Sequence, residues 1–182
     1  MIQPMPGGRR RIDRVLSDDY LAGMDRLGLP DVRALRDEAR QEEADLSYIR
    51  RLLHARIDIV RAELRRRGAG AGGSVIDQLP EILADGPDRS AGSARHLTAG
   101  PSRVGEYRRS VEQLLADIGL SDVGARTGDE LRRALDRLTE HERAVSRIRQ
   151  DVQQVTDACN AEIARRYRDG EASVDDLLRG PP

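Results

Sequence analysis

Apolar residues recur along two stretches of the chain at the spacing of coiled-coil helices. From Leu46 onward the first stretch repeats every three or four residues, with one slip in the heptad pattern. Its seam consists of Val32, Leu35, Ala39, Leu46, Ile49, Leu53, Ile57, Val60 and Leu64. The second seam consists of Leu131, Leu135, Leu138, Val145, Ile148, Val152, Val155, Cys159 and Ile163. The pattern predicts two long helices, from about Asp31 to Arg67 and from about Gly128 to Arg168.

Shorter segments are predicted around these helices. Ser17, with Asp18 and Asp19, is the predicted cap of a short N-terminal helix that ends near Pro30. A Gly-, Ala-, Ser- and Pro-rich connection includes an apolar island over 75–83 and a short helix at about 103–118. The predicted segments are a disordered tail 1–11, the short helix 12–29, a coiled-coil helix 30–68, the flexible connection 69–127, a coiled-coil helix 128–169 and a C-terminal tail 170–182.

One five-residue polar pattern occurs twice, once on each predicted long helix. Its members stand at offsets 0, 4, 7, 11 and 15, and only the fourth position differs between the copies. The first copy is Glu43, Ser47, Arg50, His54 and Asp58. The second copy is Glu142, Ser146, Arg149, Gln153 and Asp157. At about 100° per residue, each copy forms a polar stripe within roughly 80° of arc beside the apolar seam. The duplication indicates a ligand that is itself duplicated.

Composition and charge narrow the classes of function. Of the 182 residues, 35% are charged and 2% aromatic, which suits a narrow helix–helix seam better than a thick globular core. All 31 basic residues are Arg, whose planar guanidinium pairs bidentately with guanine or phosphate. The net charge of −1 argues against bulk binding of DNA or of an anionic membrane. The apolar runs are too short to span a membrane, and the lone Cys159 is expected to pack in the seam. We therefore expect a cytoplasmic protein.

The residue types of the stripe suit recognition of a guanine nucleotide. Arg donates bidentately to guanine O6 and N7, and Asp or Glu accepts from N1–H and N2–H₂. Ser and Gln or His hydrogen-bond phosphate or ribose without adding charge. The Gly-rich run after Arg67 lacks the Lys-Ser/Thr ending of a phosphate loop, and no metal-spaced His/Cys set or nucleophile–base pair accompanies the stripe. The stripe therefore indicates a nucleotide reader, with no metal site and no catalytic residue.

The twin pattern E-x3-S-x2-R-x3-Q-x3-D resembles the RsiG family of cyclic-di-GMP-dependent anti-sigma factors, whose partner in sporulating actinobacteria is the sigma factor WhiG. Two further segments, residues 11–23 and 76–85, are similar as well. The likeness covers roughly residues 11–178, and the twin motif is its most specific part.

The resemblance implies an all-α fold in which the two long helices form an antiparallel coiled-coil hairpin. It also implies that two molecules of cyclic-di-GMP bind as a dimer to the ten motif residues, with one motif from each helix. The implied partner is a WhiG-type sigma factor, which is held away from RNA polymerase until cyclic-di-GMP falls. Direct DNA binding and membrane binding are not expected. Periodicity alone leaves parallel pairing open, because the long connection can return the chain to either end.

His54 stands where the family pattern has Gln. A neutral His keeps one donor and one acceptor, so it can replace an amide, and its charge changes near physiological pH. We expect ligand affinity to depend on pH through this residue.

Two other interpretations of the twin pattern remain. Arg and Glu at these spacings are ordinary helix-surface pairs worth about 0.2–0.5 kcal/mol each, so the alternative is a nucleotide-independent structural coiled-coil adaptor. An enzyme acting on a guanine nucleotide, such as a phosphodiesterase, would need a metal site or a general base with a water path. The sequence shows neither, so we expect no enzymatic activity.

The surface that contacts the sigma factor is less defined. The candidates are apolar residues without an evident core role, namely Leu21, Met24, Leu27, Ile76, Leu79, Ile82 and Leu83. The alternative, with equal weight, is that these residues simply cover the coiled coil.

Overall fold

Two long helices dominate the fold. The computed structural model describes residues 3–68 and 123–170, together with Arg109, Glu112, Gln113 and Ala116. Helix α1 comprises Arg11–Val15, a 3-10 helix follows at Met24–Arg26, α2 comprises Leu29–Gly68 and α3 comprises Gly128–Arg168. Helices α2 and α3 pack against each other, so the predicted all-α hairpin is confirmed.

The ends of the long helices follow local signals. Thr127 and Glu130 form a reciprocal cap before α3, in which the Glu130 carboxylate accepts from the Thr127 backbone N–H at 2.7 Å. The Thr127 hydroxyl in turn accepts from the Glu130 backbone N–H at 3.3 Å. After α3, Gly170 adopts a φ of 73°, a left-handed conformation that suits glycine and stops the helix. At the start of α2, Pro30 lies in the first turn, where its missing N–H costs no helical hydrogen bond.

The predicted seams form the buried core of both long helices. Buried seam residues are Val32, Ala39, Leu46, Ile49, Leu53, Ile57 and Val60 of α2, and Leu131, Leu138, Val145, Ile148, Val152, Cys159 and Ile163 of α3. Cys159 is 0% exposed, which confirms its packing role. Burial raises the pKa of its thiol, so the reactive thiolate is disfavoured.

The chain divides into two compact units, and each long helix contributes a segment to both. The described part of the first unit comprises residues 45–146, apart from the gaps given above. In this unit Arg50 of α2 contacts Glu142 of α3, and Arg67 donates to the carbonyl of Gly124, just before α3, at 3.0 Å. From the first contact to the second, the residue number rises along the first segment and falls along the second. The two segments therefore run antiparallel.

The second unit comprises residues 3–44 and the described residues from 147 onward. Here Arg33 of α2 donates to the Tyr167 hydroxyl, and Glu43 accepts from Arg149 at 2.9 Å. The helix segments of this unit are therefore also antiparallel, as the family resemblance implied.

The N-terminal helix lies earlier in the chain than predicted. The expected cap at Ser17 is wrong, because α1 ends at Val15 and the Ser17 hydroxyl donates to the Arg14 carbonyl. Asp13 organises the helix start instead: its carboxylate accepts from the backbone N–H of Met5 at 2.8 Å and of Arg10 at 3.1 Å. The Arg10 hydrogen bond and these backbone contacts outweigh burial and lower the pKa of Asp13 to about 2.

The segment before α2 is fixed to the long helices by buried arginines. Arg11, placed in the predicted tail, is 8% exposed and pairs with the fully buried Glu42 at 2.6 Å. At the other end, Arg166 of α3 is 5% exposed and donates to the carbonyls of Leu27 at 2.7 Å and Met24 at 2.8 Å. These contacts tie both ends of the segment to the second unit.

Replacing Arg166 with Met is expected to loosen the 3-10 turn. The change removes the hydrogen bonds that the buried Arg166 donates to the part-buried carbonyls of Leu27 and Met24, a loss of about 1–3 kcal/mol. We expect a lower unfolding free energy in urea and faster amide exchange over residues 24–29. Arg165→Met is the matched control, because Arg165 pairs on the surface with Glu162 and Asp169. Equal unfolding free energies and equal amide exchange in the two variants would contradict the anchoring role of Arg166.

Several predicted segments lie outside the described residues. They are the apolar island over 75–83, most of the connection 69–127 and the C-terminal tail beyond Gly170. Within the helix predicted at about 103–118, the described residues Arg109, Glu112, Gln113 and Ala116 are helical.

Candidate functional site

In the first unit, three motif side chains converge on one carboxylate oxygen of a fourth, Glu142. Glu142 Oε1 accepts from Ser146 Oγ at 2.7 Å and from Arg50 Nε at 3.2 Å. His54 Nε2 lies 3.1 Å from the same oxygen. Helix geometry explains the arrangement, because Ser146 is one turn after Glu142 on α3 and His54 is one turn after Arg50 on α2. The fourth position of the first motif therefore faces the first position of the second motif.

The surroundings of the Glu142 carboxylate favour its charged form. Burial raises its pKa, but hydrogen bonds from Ser146 and Arg50 outweigh burial, so the pKa of Glu142 lies below its ordinary value. Glu142 is therefore an acceptor throughout the neutral range.

In the second unit, the same relation occurs with the motifs exchanged. Arg149 Nη1 donates to Glu43 Oε1 at 2.9 Å. The Arg of the second motif thus faces the Glu of the first, just as Arg50 faces Glu142. Gln153 differs from its counterpart His54, because it donates to Asp157 on its own helix at 3.0 Å. The two units therefore repeat the Arg–Glu relation and differ at the fourth motif position.

The remaining motif residues include Asp58, Asp157 and Ser47. Asp58 lies 3.7 Å from Arg61 on its own helix and is half-buried, and Asp157 is exposed. Ser47 is half-buried in the first unit. The structure thus joins Arg50, His54, Glu142 and Ser146 in one cluster, and joins Glu43 with Arg149 in another.

Two polar atoms of the motifs are buried without a hydrogen bond. Within residues 3–68 and 123–170, the buried side-chain atoms without a hydrogen-bond partner are His54 Nε2 and Arg149 Nε. His54 Nε2 is close to Glu142 but lacks the direction of a hydrogen bond. Buried polar atoms without a hydrogen bond are costly and rare, and one of these two atoms belongs to each copy of the motif.

The motif arginines remain accessible. The side chain of Arg50 is 42% exposed and that of Arg149 is 29% exposed. An ion pair this open to solvent contributes about 0–1 kcal/mol, because water and salt screen it. Either arginine can therefore exchange its glutamate for a stronger acceptor at small cost.

Sequence reasoning missed the buried charges next to the first motif. Glu42 and Asp45 are 0% and 2% exposed, respectively, and both flank motif residues. A signal for Glu42 was present, because it fills the seam position between Ala39 and Leu46. A charge at a seam position predicts a buried partner, which the structure shows to be Arg11.

The structure describes three of the apolar candidates for a partner surface. Leu21 and Met24 pack against the buried cluster of Val32, Cys159 and Ile163, so their covering role is the one observed. Leu27 is 37% exposed and remains available at the surface. The candidates at positions 76, 79, 82 and 83 lie outside the described residues.

The described helices and side chains offer neither a membrane span nor a metal site. None of these helices is both long and apolar enough to cross a membrane. The described part of the chain contains no group of three or more His, Cys, Asp or Glu side chains placed to hold a metal ion.

The likeness to known proteins extends well beyond the twin motif. A family model described as RsiG-like matches residues 18–83 and 117–180, which together form most of the chain and include both copies of the pattern. No curated protein matches the chain. The chain belongs to the RsiG-like family, whose members are anti-sigma regulators of WhiG rather than enzymes.

Proposed function

We propose that this protein is a cyclic-di-GMP-responsive anti-sigma factor that sequesters a WhiG-type sigma factor. The ligand is a pair of cyclic-di-GMP molecules held by the ten residues of the twin motif, Glu43, Ser47, Arg50, His54, Asp58, Glu142, Ser146, Arg149, Gln153 and Asp157. The protein acts on transcription through the sigma factor and does not itself contact DNA.

The observation that carries the proposal is the reciprocal relation between the motifs. Arg50 faces Glu142, and Arg149 faces Glu43, at 3.2 and 2.9 Å. Each unit therefore presents one bidentate donor and one carboxylate acceptor together, which is the set required by the O6/N7 and N1/N2 edges of guanine. A ligand with repeated guanines suits a protein that offers this set twice.

The unpaired atoms support the same ligand class. His54 Nε2 and Arg149 Nε are buried polar atoms without a hydrogen bond, and both belong to the motifs. Phosphate, ribose and guanine oxygens are acceptors able to satisfy N–H groups of this kind. The fit of the residues to a guanine nucleotide therefore rests on donor chemistry as well as on the pattern.

Ligand binding and sigma binding are linked by thermodynamics. If the sigma factor binds the liganded protein more tightly, cyclic-di-GMP binds the protein–sigma complex more tightly by the same factor. A fall in cyclic-di-GMP then weakens sequestration and releases the sigma factor.

The alternative, a nucleotide-independent structural adaptor, is supported by the same ion pairs. Arg–Glu contacts between helices are also ordinary flank contacts that set pairing in coiled coils. The adaptor leaves the unpaired His54 and Arg149 nitrogens without a function, so we place it second.

Calorimetric titration of cyclic-di-GMP distinguishes these functions. We expect two nucleotides to bind each protein chain or protein–sigma complex, with higher affinity in the presence of the WhiG-type sigma factor. GMP and cyclic-di-AMP serve as controls for the linked dinucleotide and for the base. Absence of heat with cyclic-di-GMP, both with and without the sigma factor, would overturn the proposed function and favour the adaptor.

A further inference from the structure

A second set of contacts is repeated in the two units, near the C-terminal end of each long helix. In the first unit, Arg67 of α2 donates to carbonyls of the turn 123–126, which precedes α3. The distances are 3.0 Å to Gly124 and 3.3 Å to Val123. Glu63 holds the arginine in place, because its Oε1 accepts from Arg67 Nε at 2.5 Å. Glu63, Arg67 and the turn 123–126 together form the first clasp.

The second unit contains the counterpart of this clasp with the helices exchanged. Arg166 of α3 donates to carbonyls of the segment 24–27, which precedes α2, at 2.7 Å to Leu27 and 2.8 Å to Met24. Glu162 Oε1 accepts from Arg166 Nε at 2.7 Å. Glu162, Arg166 and the segment 24–27 form the second clasp.

The two clasps agree in sequence and in atoms. The separation of Arg67 from Arg166 along the chain equals that of the motif arginines, and the two clasp glutamates keep it as well. In both clasps the arginine turns Nε to the glutamate and Nη1 and Nη2 to the carbonyls. The internal repeat therefore extends beyond the motif, to a contact that joins the long helices.

We propose that Arg67 and Arg166 are positioning residues of the nucleotide site, each of which fixes the register of the long helices in its own unit and so places the motif side chains for the ligand. The inference rests on the proposed function for its ligand. Neither arginine belongs to the twin motif.

Helix geometry shows how the first clasp acts on the motif pair of its unit. At about 1.5 Å per residue, Arg67 lies about 25 Å beyond Arg50 along α2. Relative to the seam residue Leu53, Arg50 lies about 60° to one side and Arg67 about 40° to the other. The Arg50–Glu142 pair and the clasp therefore hold α3 at two heights and on both sides of the seam. Aliphatic seams fit more than one register, and polar contacts of this kind specify one.

Burial divides the work between the clasps and the motif pairs. Each clasp contains a side chain that is almost closed to solvent, since Glu63 is 3% exposed and Arg166 is 6% exposed. The motif arginines are the more open, and a ligand that takes them must displace their glutamates. The clasps keep their partners during this exchange, so they hold the register when the motif pairs have opened.

Calorimetric affinity of the full chain for cyclic-di-GMP tests this role. Arg67→Met and Arg166→Met should each weaken binding roughly three- to thirtyfold, the size of effect that residues without ligand contact exert through coupling. Arg65→Met removes an exposed charge from the same end of α2 and should leave the affinity unchanged. Wild-type affinity in both clasp variants would overturn the proposal.

Double variants distinguish positioning from a general loss of stability. Arg67→Met should lose most of its effect on affinity once Arg50→Ala is present, because the side chain that Arg67 places is gone. In the Arg149→Ala background the same substitution should keep its full effect, and Arg166→Met should show the opposite preference. A loss of stability alone predicts the same effect in both backgrounds, and that result would refute positioning.

A measurement without nucleotide separates this inference from the proposed function. Spin labels at Arg51→Cys and Arg143→Cys, exposed positions of the first unit outside the motifs, report the distance between α2 and α3, while the buried Cys159 stays unlabelled. Arg67→Met should broaden or shift this distance by up to one helical turn, about 5.4 Å, whereas Arg65→Met should not. An unchanged distance in Arg67→Met would contradict the register role. If cyclic-di-GMP binds none of the proteins, the proposed function falls, and the label distances alone decide whether Arg67 sets the register.

Discussion

A protein carrying Arg50→Ala and Arg149→Ala is expected to lose at least a hundredfold in affinity for cyclic-di-GMP. Each arginine offers hydrogen bonds from a charged donor, worth about 1.5–3 kcal/mol apiece. Loss of both corresponds to roughly two to four powers of ten in the dissociation constant. Because the two side chains serve different units, the single variants should each lose about half of the total free energy.

Calorimetry on the double variant needs a control for net charge. Arg65→Ala with Arg133→Ala removes the same charge from exposed positions outside both motifs. This control should retain affinity within a few-fold, whereas a change of charge alone would lower the affinity of both proteins equally. Helical circular dichroism should match the wild type in both, since Arg50 and Arg149 form partly exposed pairs. Wild-type affinity in the motif variant would refute the nucleotide clamp.

Replacing Glu42 with Leu is expected to cause the largest loss of stability of any single change considered. Glu42 is 0% exposed and pairs with Arg11, which is 8% exposed. Removing one member of a buried ion pair costs about 3–5 kcal/mol, because the other charge loses this partner while it stays out of water. Urea unfolding should show this loss as a lower midpoint with little change in slope.

A second substitution is expected to restore most of the stability that Glu42→Leu removes. Adding Arg11→Met to Glu42→Leu removes the buried charge that lost its Glu42 partner, and the apolar seam between Ala39 and Leu46 is extended, so most of the lost stability should return. The neighbouring pair Arg14–Glu38 is the control, because its side chains are 57% and 27% exposed. Arg14→Ala should change stability by less than about 1 kcal/mol. A large loss of stability in Arg14→Ala, or no recovery of stability in the double variant, would show that burial does not determine how much these ion pairs contribute to stability.

The long helices were predictable because their information is local and repeated. The seam period predicts both helices, and the observed bounds differ from the predicted ones by no more than two residues at any end. Antiparallel pairing was not predictable from that period, because apolar seams fit either direction. It depends on which polar residues meet, such as Arg50 with Glu142, and the pattern does not specify those partners.

The N-terminal segment was harder to predict because several of its contacts join residues that are distant in the sequence. The start of α1 depends on Asp13, whose backbone partners are Met5 and Arg10, and the turn before α2 depends on Arg166. Charge-rich residues before position 12 suggested a solvated tail, yet Arg11 is buried by its pairing with Glu42. For the site, the stripe of each helix followed from helical spacing, while the difference between His54 and Gln153 in their contacts required the structure.

The exchange of partners between the motifs has a consequence for how a change in one copy affects the other. Arg50 is matched with a glutamate of the second copy, and Arg149 with a glutamate of the first. Neither copy is a complete module, so a loss in one removes a partner from the other. The two copies are therefore coupled: a substitution at the first or third position of one copy changes a contact of the other, so the effects of such substitutions on stability are not additive.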